Sequence, residues 1–401
     1  MSHPLQNPVR GKSHLGFLAF TTLCFFAASS APTPLYHVYQ QSWGFSAAML
    51  TLIFAVYAFT LLISLLVVGS LSDYMGRRPV IFAALMLEIL AMVLFIQASD
   101  VYWLLFARMI QGLATGMAGS ALGAALLDDD EKQGPLINSI APMFGMAVGA
   151  LGTGLLVELA PQPMSLAYCL LLAAFVGQAV YIWLIPETVG PQPGAWASLK
   201  PSLHVPVQAR RTLWLVLPVD IAAWSLGGFF LSLTPSLLTA ATGSTSAING
   251  GLAVATLTIS GALGILTLRL RPAVAGLWVG ASFLPVGVGV ILTAVNLGWL
   301  WLFFIGTMIA GVGFGSGFLG ALRLLMPLAH AHERAGLMSA FYVLSYLAFC
   351  IPALAAGLSA HSFGLIATTN AYGTVVIILA LLALSGLIVR QWSGRSESTI
   401  A

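Results

Sequence analysis

The sequence Gly69-Ser-Leu-Ser-Asp-Tyr-Met-Gly-Arg-Arg-Pro-Val80 is a short charged segment between two long apolar runs. Asp73, Arg77 and Arg78 lie within six positions of one another, in a chain with only 15 Lys and Arg and 12 Asp and Glu residues. The 401 residues are 59% hydrophobic and 7% charged, whereas soluble proteins carry about 25% charged residues. Because so few charged side chains cannot cover a water-exposed surface, the composition predicts a protein embedded in a lipid bilayer.

Apolar runs long enough to cross a bilayer, which takes roughly 20 residues, recur along the whole chain. They predict an all-α integral membrane protein with twelve transmembrane helices in two pseudo-symmetric six-helix bundles. The cysteines and histidines show no metal-ligand spacing. Gly11-Lys12-Ser13 is not a phosphate-binding Gly-x-x-x-x-Gly-Lys-Ser/Thr motif, because Gln6 stands where the first glycine is required, so neither a cofactor nor direct use of ATP is expected. The runs lie near residues 15–36, 47–70, 79–98, 102–126, 136–157, 165–186, 212–238, 248–268, 273–294, 298–322, 335–358 and 368–390.

Basic residues in short loops predict the orientation, because they stay on the cytoplasmic side. With the N-terminus in the cytoplasm, the cytoplasmic segments hold every Lys and Arg except Arg108, which lies inside a span. We therefore predict a multi-pass protein of a bacterial inner membrane with both termini cytoplasmic. The net charge of +3 then reflects orientation and not nucleic-acid binding. The basic residues concerned are Arg10, Lys12, Arg77, Arg78, Lys132, Lys200, Arg210, Arg211, Arg269, Arg271, Arg323, Arg334, Arg390 and Arg395.

The longest polar segment between spans, residues 189–211, is rich in Pro and Gly and divides the chain into two sets of six spans. We predict an N-terminal bundle of residues 1–188, a cytoplasmic linker of residues 189–211 and a C-terminal bundle of residues 212–401. Motifs recur between the two sets. Gly112-Leu-Ala-Thr-Gly116 is matched by Gly311-Val-Gly-Phe-Gly315, 199 positions later (311 − 112). These matches favour duplication of a six-helix unit.

Glycines at spacings of three and four residues mark the fourth span: Gly112, Gly116, Gly119 and Gly123. This spacing predicts one smooth helix face that lets a neighbouring helix approach closely. The face either serves packing alone or also lets helices slide during transport.

The charged segment resembles the cytoplasmic signature between helices two and three of the major facilitator superfamily, at the expected place. Arg108-x-x-Gln111-Gly112 resembles the family's fourth-helix pattern, and Pro186-Glu187-Thr188 stands where many drug-exporting members end helix six. The resemblance covers the whole chain, and it implies the two-bundle fold and alternating access around a site between the bundles. The matching signature positions are Gly69, Leu71, Asp73, Gly76, Arg77 and Arg78.

Each part of the signature has an expected physical role. We expect Gly69 to allow a neighbouring helix to approach its backbone and Gly76 to form a tight turn. Asp73 would be stabilised by a helix dipole and by the guanidinium groups of the two arginines. These arginines can also bind Asp128 and Asp129 at the end of the fourth span. The cluster either latches the cytoplasmic face when the protein opens outward, or its arginines only anchor the topology.

Three ionisable residues lie inside spans: Glu88, Arg108 and Asp220. An ionised residue at the centre of a span costs at least about 2.5–3.5 kcal/mol, so each is a candidate for function. In the resembled family the fourth-helix arginine is linked to proton coupling, and Gln111 lies one turn from Arg108. Glu88 either forms a structural ion pair with Arg108 or carries a proton.

Asp220 lies about a third of the way into the seventh span, four residues before Trp224. An unpaired carboxylate there could bind a cation or a proton, and Trp224 could add cation–π attraction. In the alternative, Asp220 lies near enough to the cytoplasmic surface to be solvated and to contact Arg211.

These features predict a secondary active transporter that moves a small organic compound by alternating access, with proton-coupled efflux of a drug or metabolite favoured. Pro186-Glu187-Thr188 and residues 31–35 favour efflux, whereas the fifth span lacks the Gly-Pro pair of many antiporters in the resembled family. The alternative is proton-linked uptake of a small organic solute. A membrane enzyme or a sensor is the remaining class, for which no acid pair or metal site is visible. Expected partners are the substrate, protons and the lipid bilayer, with the chain acting as a monomer.

Overall fold

The computed structural model describes residues 14–330 and 333–399, with side chains as far as residue 390. Helices make up 85% of the structure, and its described part contains no strand. Twelve helices are long and apolar enough to cross a bilayer, which confirms the predicted fold class. Of the basic residues that predicted the orientation, Arg10, Lys12 and the side chain of Arg395 lie outside this described part.

The membrane-length helices, α1–α12, follow the predicted spans, and every one except α7 begins within three residues of its predicted start. Two short helices, Leu71–Met75 and Ala195–Ser198, lie in the α2–α3 turn and in the linker. The helices are α1 (Leu15–Ser30 and Pro32–Trp43), α2 (Ala47–Val68), α3 (Arg77–Ile96), α4 (Val101–Asp129), α5 (Gly134–Leu159), α6 (Leu166–Tyr181), α7 (Val207–Ser232 and Thr234–Thr242), α8 (Ala247–Leu268), α9 (Ala273–Leu297), α10 (Leu300–Leu325), α11 (Arg334–Phe363) and α12 (Leu365–Thr399).

Helices α1 and α7 are each built from two segments. The break in α1 falls at Ala31, directly before Pro32, and the break in α7 falls at Leu233, two residues before Pro235. Proline has no N–H to donate to the preceding turn, so each helix is interrupted there. Each second segment ends at a glycine in the left-handed region, where a side chain would be strained. These capping glycines are Gly44 (φ 68°) and Gly243 (φ 72°).

The limits predicted for the seventh span, residues 212–238, are wrong. Helix α7 begins at Val207, because Pro206 precedes it with a φ of −56° that suits entry into a helix. Its second segment continues to Thr242, since Pro235 stands near the start of that segment, where its missing N–H is tolerated. The bundle limits at residues 1–188 and 212–401 stay predictions.

Similar close contacts occur in the first six and in the last six membrane-length helices. A Cβ on Gly112 of α4 would meet the Tyr57 carbonyl of α2. In the second half of the chain, a Cβ on Gly311 of α10 would lie 2.5 Å from the Leu257 carbonyl of α8. Helices α1–α6 and α7–α12 are called the first and second halves below.

The two halves pack against each other through α5 with α8 and α2 with α11. A Cβ on Gly154 of α5 would lie 2.8 Å from the Ala247 carbonyl oxygen of α8. Gly251 of α8 meets the α5 backbone in the same way, and the rings of Phe54 and Phe349 lie 4.8 Å apart between α2 and α11. Backbone therefore touches backbone across the interface.

The interface is tightest at one end of the molecule, which we call the far face. There the Thr33 hydroxyl donates to the Leu231 carbonyl (2.9 Å), and the Ser236 hydroxyl donates to Oε1 of Gln40 (3.2 Å). A third connection, from Glu158, joins α5 to α8. The opposite end is called the basic face, and its described loops and helix ends carry Arg77, Arg78, Lys132, Lys200, Arg210, Arg211, Arg269, Arg271, Arg323 and Arg334.

The linker between α6 and α7 is tied to both halves at the basic face. The Gln192 N–H donates to the Tyr74 carbonyl of the α2–α3 turn (2.7 Å). The His204 N–H donates to the Gly336 carbonyl at the start of α11 (3.3 Å). The linker thus connects the charged α2–α3 turn to the second half.

The smooth face predicted on α4 is only partly present. A Cβ on Gly112 or Gly116 would strike the α2 backbone, at Gly116 through the Leu61 carbonyl. Gly119, in contrast, has no neighbour within 4 Å of its Cβ position, and Gly123 faces a side chain of α5. The prediction of one continuous face is wrong beyond Gly116, because the contact with α2 ends there.

We expect Gly116→Ala to lower the stability of the folded protein, because the added methyl group would overlap the Leu61 carbonyl and push α2 from α4. Overpacking of this kind costs about 1–3 kcal/mol. The midpoint of thermal unfolding in detergent micelles measures the effect. Gly119→Ala is the matched control, since its methyl group enters open space, and equal midpoints for the two variants would contradict the contact.

Candidate functional site

A cavity of about 230 Å³ lies between the two halves, lined by α1, α2, α5, α7, α8, α10 and α11. Toward the basic face its lining extends to Ser139, in the second turn of α5, and to Leu322, in the last turn of α10. Toward the far face it ends at Phe230 and Leu231, where Thr33 bonds to α7. The cavity therefore lies on the basic-face side of the closed interface.

Aromatic rings form the wall of the cavity in the second half. Trp224 of α7 is at their centre, with ring centroids 4.9 Å from Tyr346, 5.5 Å from Phe349 and 5.7 Å from Phe318. Edge and tilted contacts of this kind each contribute about 0.5–1.5 kcal/mol beyond the buried area. Trp224, which was expected to add cation–π attraction for a cation bound at Asp220, therefore lies within an aromatic cluster on the cavity wall.

The cavity wall is electrically neutral. Among the described residues that line it, none is Asp, Glu, Lys, Arg or His. Its polar groups include the hydroxyls of Ser29, Thr258 and Tyr57 and the amide of Asn138. An apolar concave wall with a few polar groups is typical of a site for a small organic molecule.

Arg108 is buried directly behind this wall and is held by neutral groups. Its Nε donates to the Tyr36 hydroxyl (3.0 Å), and its Nη1 donates to the Ser29 carbonyl (2.8 Å) and to Oε1 of Gln111 (2.7 Å). The guanidinium also lies over the Tyr57 ring, 4.8 Å from its centroid. Cation–π contacts and hydrogen bonds thus compensate the buried charge. Because Ser29 and Tyr57 line the cavity, a bound molecule would touch the groups that hold Arg108.

Glu88 and Arg108 are joined through Gln111. The Gln111 Nε2 donates to Oε1 of Glu88 (3.1 Å) and to the Ala28 carbonyl (3.0 Å), while its Oε1 accepts from Arg108. The alternative of a direct Glu88–Arg108 ion pair is therefore wrong for this conformation, because the Gln111 amide occupies the space between them. The second carboxylate oxygen of Glu88 has no hydrogen-bond partner.

Asp220 is fully buried between α7 and α11. Its Oδ2 accepts a hydrogen bond from the Ser345 hydroxyl (2.7 Å), and its Oδ1 has no partner. The predicted alternative, a solvated Asp220 near Arg211, is wrong, because Asp220 is 0% exposed and nine residues of helix, roughly 14 Å, separate the two. Asp220 lies behind the aromatic wall, since Trp224 and Tyr346 line the cavity and Asp220 does not.

Arg77 is the centre of the charged cluster at the basic face. Its Nε donates to Oδ2 of Asp128 (2.9 Å), and its Nη1 contacts Oδ1 of Asp73 and the Ser72 hydroxyl. The predicted partnership with Asp128 is thus present. Asp129 instead accepts from the His14 N–H (3.2 Å).

Glu187, six residues beyond the end of α6 (187 − 181), binds the N-terminus of α3. Its carboxylate accepts from the Arg77 N–H (2.8 Å) and the Arg78 N–H (2.9 Å), and the adjacent Thr188 hydroxyl donates to Asp128 (3.0 Å). An anion at a helix N-terminus satisfies free N–H groups and the helix dipole. In the sequence, Glu187 was noted only as part of the resemblance at Pro186-Glu187-Thr188, and its role as the N-terminal cap of α3 was missed. An acidic residue at the predicted end of a span, on the face where α3 begins, was the available signal.

The remaining signature residues differ in how well they match expectation. Gly76 has a φ of 97°, and a Cβ there would lie 2.7 Å from Oε2 of Glu187, so the tight turn is present. Gly69 does not admit a neighbouring helix as predicted. The atoms within 4 Å of a Cβ placed there belong to the Leu65 carbonyl of its own helix. The Arg78 side chain donates to the Trp183 carbonyl (2.9 Å) and not to a carboxylate.

The charged cluster around Arg77 makes its contacts within the first half, and the signature residue Leu71 also lies there, in the short helix of the α2–α3 turn. The same turn contacts the linker, since the Tyr74 carbonyl accepts from the Gln192 N–H. Ser70 also donates to the Ser198 carbonyl of the linker (3.1 Å). A latch between the two halves at the basic face therefore stays a prediction for the conformation that closes this face.

The sequence profile of a family described as the Major Facilitator Superfamily matches residues 18–353. The MFS-type transporter paaT of Penicillium rubens is 25% identical over 178 residues, which cover 43% of this chain and 32% of that protein. The multidrug resistance protein MdtL of Klebsiella pneumoniae is 28% identical over 172 residues, covering 40% of this chain and 43% of that protein. The matches therefore span less than half the length of either relative.

A crystal structure of a mutant nucleoside transporter NupG has the same fold. It superposes with a TM-score of 0.73, covering 93% of this chain and 98% of that chain, at 10% sequence identity. At this level of identity the likeness concerns the fold alone.

We expect Gln111→Leu to destabilise the protein, because it removes an acceptor from Arg108 and a donor from Glu88. A buried polar group left unsatisfied costs about 1–3 kcal/mol. Thermal unfolding in micelles measures the loss. The matched control is Ser120→Ala further along α4, whose hydroxyl donates to the Gly116 and Met117 carbonyls of its own helix. A midpoint for Gln111→Leu equal to that of the control would contradict the bridging role.

Glu187→Ala should also lower the unfolding midpoint, because the first N–H groups of α3 would lose their acceptor. Loss of an N-terminal cap costs roughly 0.5–2 kcal/mol. Glu131→Ala, in the exposed α4–α5 turn of the same face, removes one negative charge without touching α3 and serves as the control. If both variants unfold at the same temperature, Glu187 does not act as a cap.

Proposed function

The chain belongs to the Major Facilitator Superfamily, and we propose that this transporter exports a neutral, apolar or amphiphilic organic compound in exchange for protons. The observation that carries the proposal is the uncharged, aromatic cavity between the two halves, which is closed at the far face. A compound with aromatic or aliphatic surface would replace water along this wall and gain the free energy of apolar burial. A strongly charged substrate would find no counter-ion among the lining residues described above.

Which face is cytoplasmic determines the side of the membrane with which this conformation exchanges substrate. Basic residues concentrate at one face, which the positive-inside rule assigns to the cytoplasm of a bacterial inner membrane, with both termini on that side. The cavity extends toward this face, so the present conformation would load substrate from the cytoplasm. The multidrug resistance protein MdtL, a partial relative, supports efflux as the activity. The chain is proposed to act as a monomer with one such cavity.

Asp220 and Glu88 are the proposed proton carriers. Each is fully buried and has one carboxylate oxygen bonded and the other without a partner. An ionised carboxylate is expensive in such a place, whereas a bound proton removes the charge. Ser345, the partner of Asp220, lies on α11 between the cavity residues Tyr342 and Tyr346. Substrate that repacks these rings would shift Ser345 and so change the proton affinity of Asp220.

Transport of a panel of neutral and cationic aromatic compounds in everted membrane vesicles tests the proposal. An exporter accumulates its substrate inside such vesicles when a proton gradient is imposed, and substrate addition releases protons from the vesicle interior. Accumulation only in right-side-out vesicles would indicate the alternative, proton-linked uptake. Movement that does not depend on the gradient would contradict proton coupling.

We expect Asp220→Asn to abolish gradient-driven accumulation while protein levels in the membrane stay unchanged. The asparagine can still accept the Ser345 hydrogen bond but cannot exchange a proton. The matched control is Asp100→Asn, a carboxylate at the far face that caps α4 and lies outside the cavity. Wild-type transport by Asp220→Asn would show that this residue does not couple protons to the substrate.

A further inference from the structure

One carboxylate at the far face bridges the two halves. Glu158 lies in the last turn of α5, and its Oε1 accepts hydrogen bonds from the Ser246 hydroxyl and from the Ile248 N–H (3.3 Å) at the start of α8. Its side chain is exposed, in contrast to the buried carboxylates of α3 and α7. Since α5 and α8 belong to different halves, this residue connects parts of the protein that separate when the far face opens.

The N-terminus of α8 lacks the cap that its counterpart in the first half possesses. Ser46 precedes α2 and accepts from the Met49 N–H (3.2 Å), so it caps its own helix. Ser246 stands at the equivalent position before α8, 200 residues later (246 − 46), yet its side chain makes no cap hydrogen bond to α8. Its hydroxyl donates to Glu158 instead. Glu158 of the first half therefore supplies the anionic cap for a helix of the second half.

Close backbone contact holds Glu158 in this position. Gly154, one turn earlier on α5, would place a Cβ 2.8 Å from the Ala247 carbonyl and 3.2 Å from Cα of Ile248. A rotation that separates α5 from α8 at the far face must therefore break both hydrogen bonds of Glu158. The bonds that Thr33 and Ser236 make across the same face join uncharged groups, whereas hydrogen bonds to a carboxylate are stronger.

We propose that Glu158 is a latch: its carboxylate, bound to the N-terminus of α8, sets how often the far face of the transporter opens. The proposal rests on the alternating-access part of the proposed function and not on the substrate or the coupling ion. Because Glu158 is exposed, water screens its contacts, so the latch is weak enough to open in each cycle. Exposed charge interactions of this kind change an equilibrium constant by a factor of about two to five.

Spin labels on each side of the far face test the latch. Gln162→Cys in the α5–α6 loop and Thr245→Cys before α8 are both exposed positions, one in each half. Cys169→Ser removes the exposed natural cysteine, while Cys24 and Cys350 are buried. Pulsed electron spin resonance on the full chain in lipid nanodiscs then gives the ratio of long to short distances, which reports open and closed far faces.

Glu158→Gln keeps the shape of the side chain and removes its charge, and we expect it to raise the long-to-short ratio about two- to fivefold. Ser246→Ala should shift the ratio in the same direction, and the double variant should add little, because both substitutions remove one interaction. Asp100→Asn is the control, since that carboxylate caps α4 at the same face within a single half. An unchanged ratio in Glu158→Gln, or an equal rise in Asp100→Asn, would overturn the proposal.

The outcome is independent of the vesicle experiment. If Glu158→Gln shifts the distance ratio while no compound is exported, the latch stands and the proposed substrate or coupling fails. If export is proton-coupled while the ratio does not move, the proposed function stands and Glu158 is not the latch.

Discussion

The free-energy cost of placing charge in hydrocarbon determines how this protein is organised. It confines the basic side chains to one face and leaves the cavity wall without an ionised group. Arg108 remains inside the membrane because aromatic rings and neutral oxygens surround it, and the ring of Tyr57 separates its charge from the cavity. The positive charge of Arg108 therefore lies behind the cavity wall, while the wall itself is uncharged and compatible with an apolar compound.

The two halves share the same frame but differ in their chemistry. Each half has a broken first helix, a glycine cap and close glycine contacts between its second and fourth helices. Arg108 of α4, however, has Thr307 at the matching position of α10, 199 residues later (307 − 108), and that hydroxyl bonds only to its own helix. The buried acid of the second half, Asp220, lies on α7 instead. The buried charges thus occupy unequal positions in two similar scaffolds.

Hydropathy predicted the twelve helices, because it depends on properties local to the sequence. The contact of Arg77 with Asp128 was predictable because the end of the fourth span lies on the same face as the α2–α3 turn. Sequence placed Glu88, Arg108 and Asp220 inside spans but left the depth of Asp220 open. Rotation about the helix axis was not readable from sequence, so the position of Asp220 behind the cavity wall could not be predicted. Gln111 as a bridge and Glu187 as a cap depend on which helices meet in space, and a single sequence carries little information on such partners.

The linker between the halves has a mechanical consequence of its own. Its last anchor on the first half, the Ser198 carbonyl bound by Ser70, and its anchor on the second half, His204, are six residues apart (204 − 198). A fully extended chain of that length reaches roughly 20 Å, at 3.3–3.6 Å per residue. The two halves can therefore rotate relative to each other without breaking the hydrogen bonds that anchor the linker, because the residues between the anchors can extend. Insertions or deletions in this stretch would change the reach of the tether and leave the membrane helices untouched.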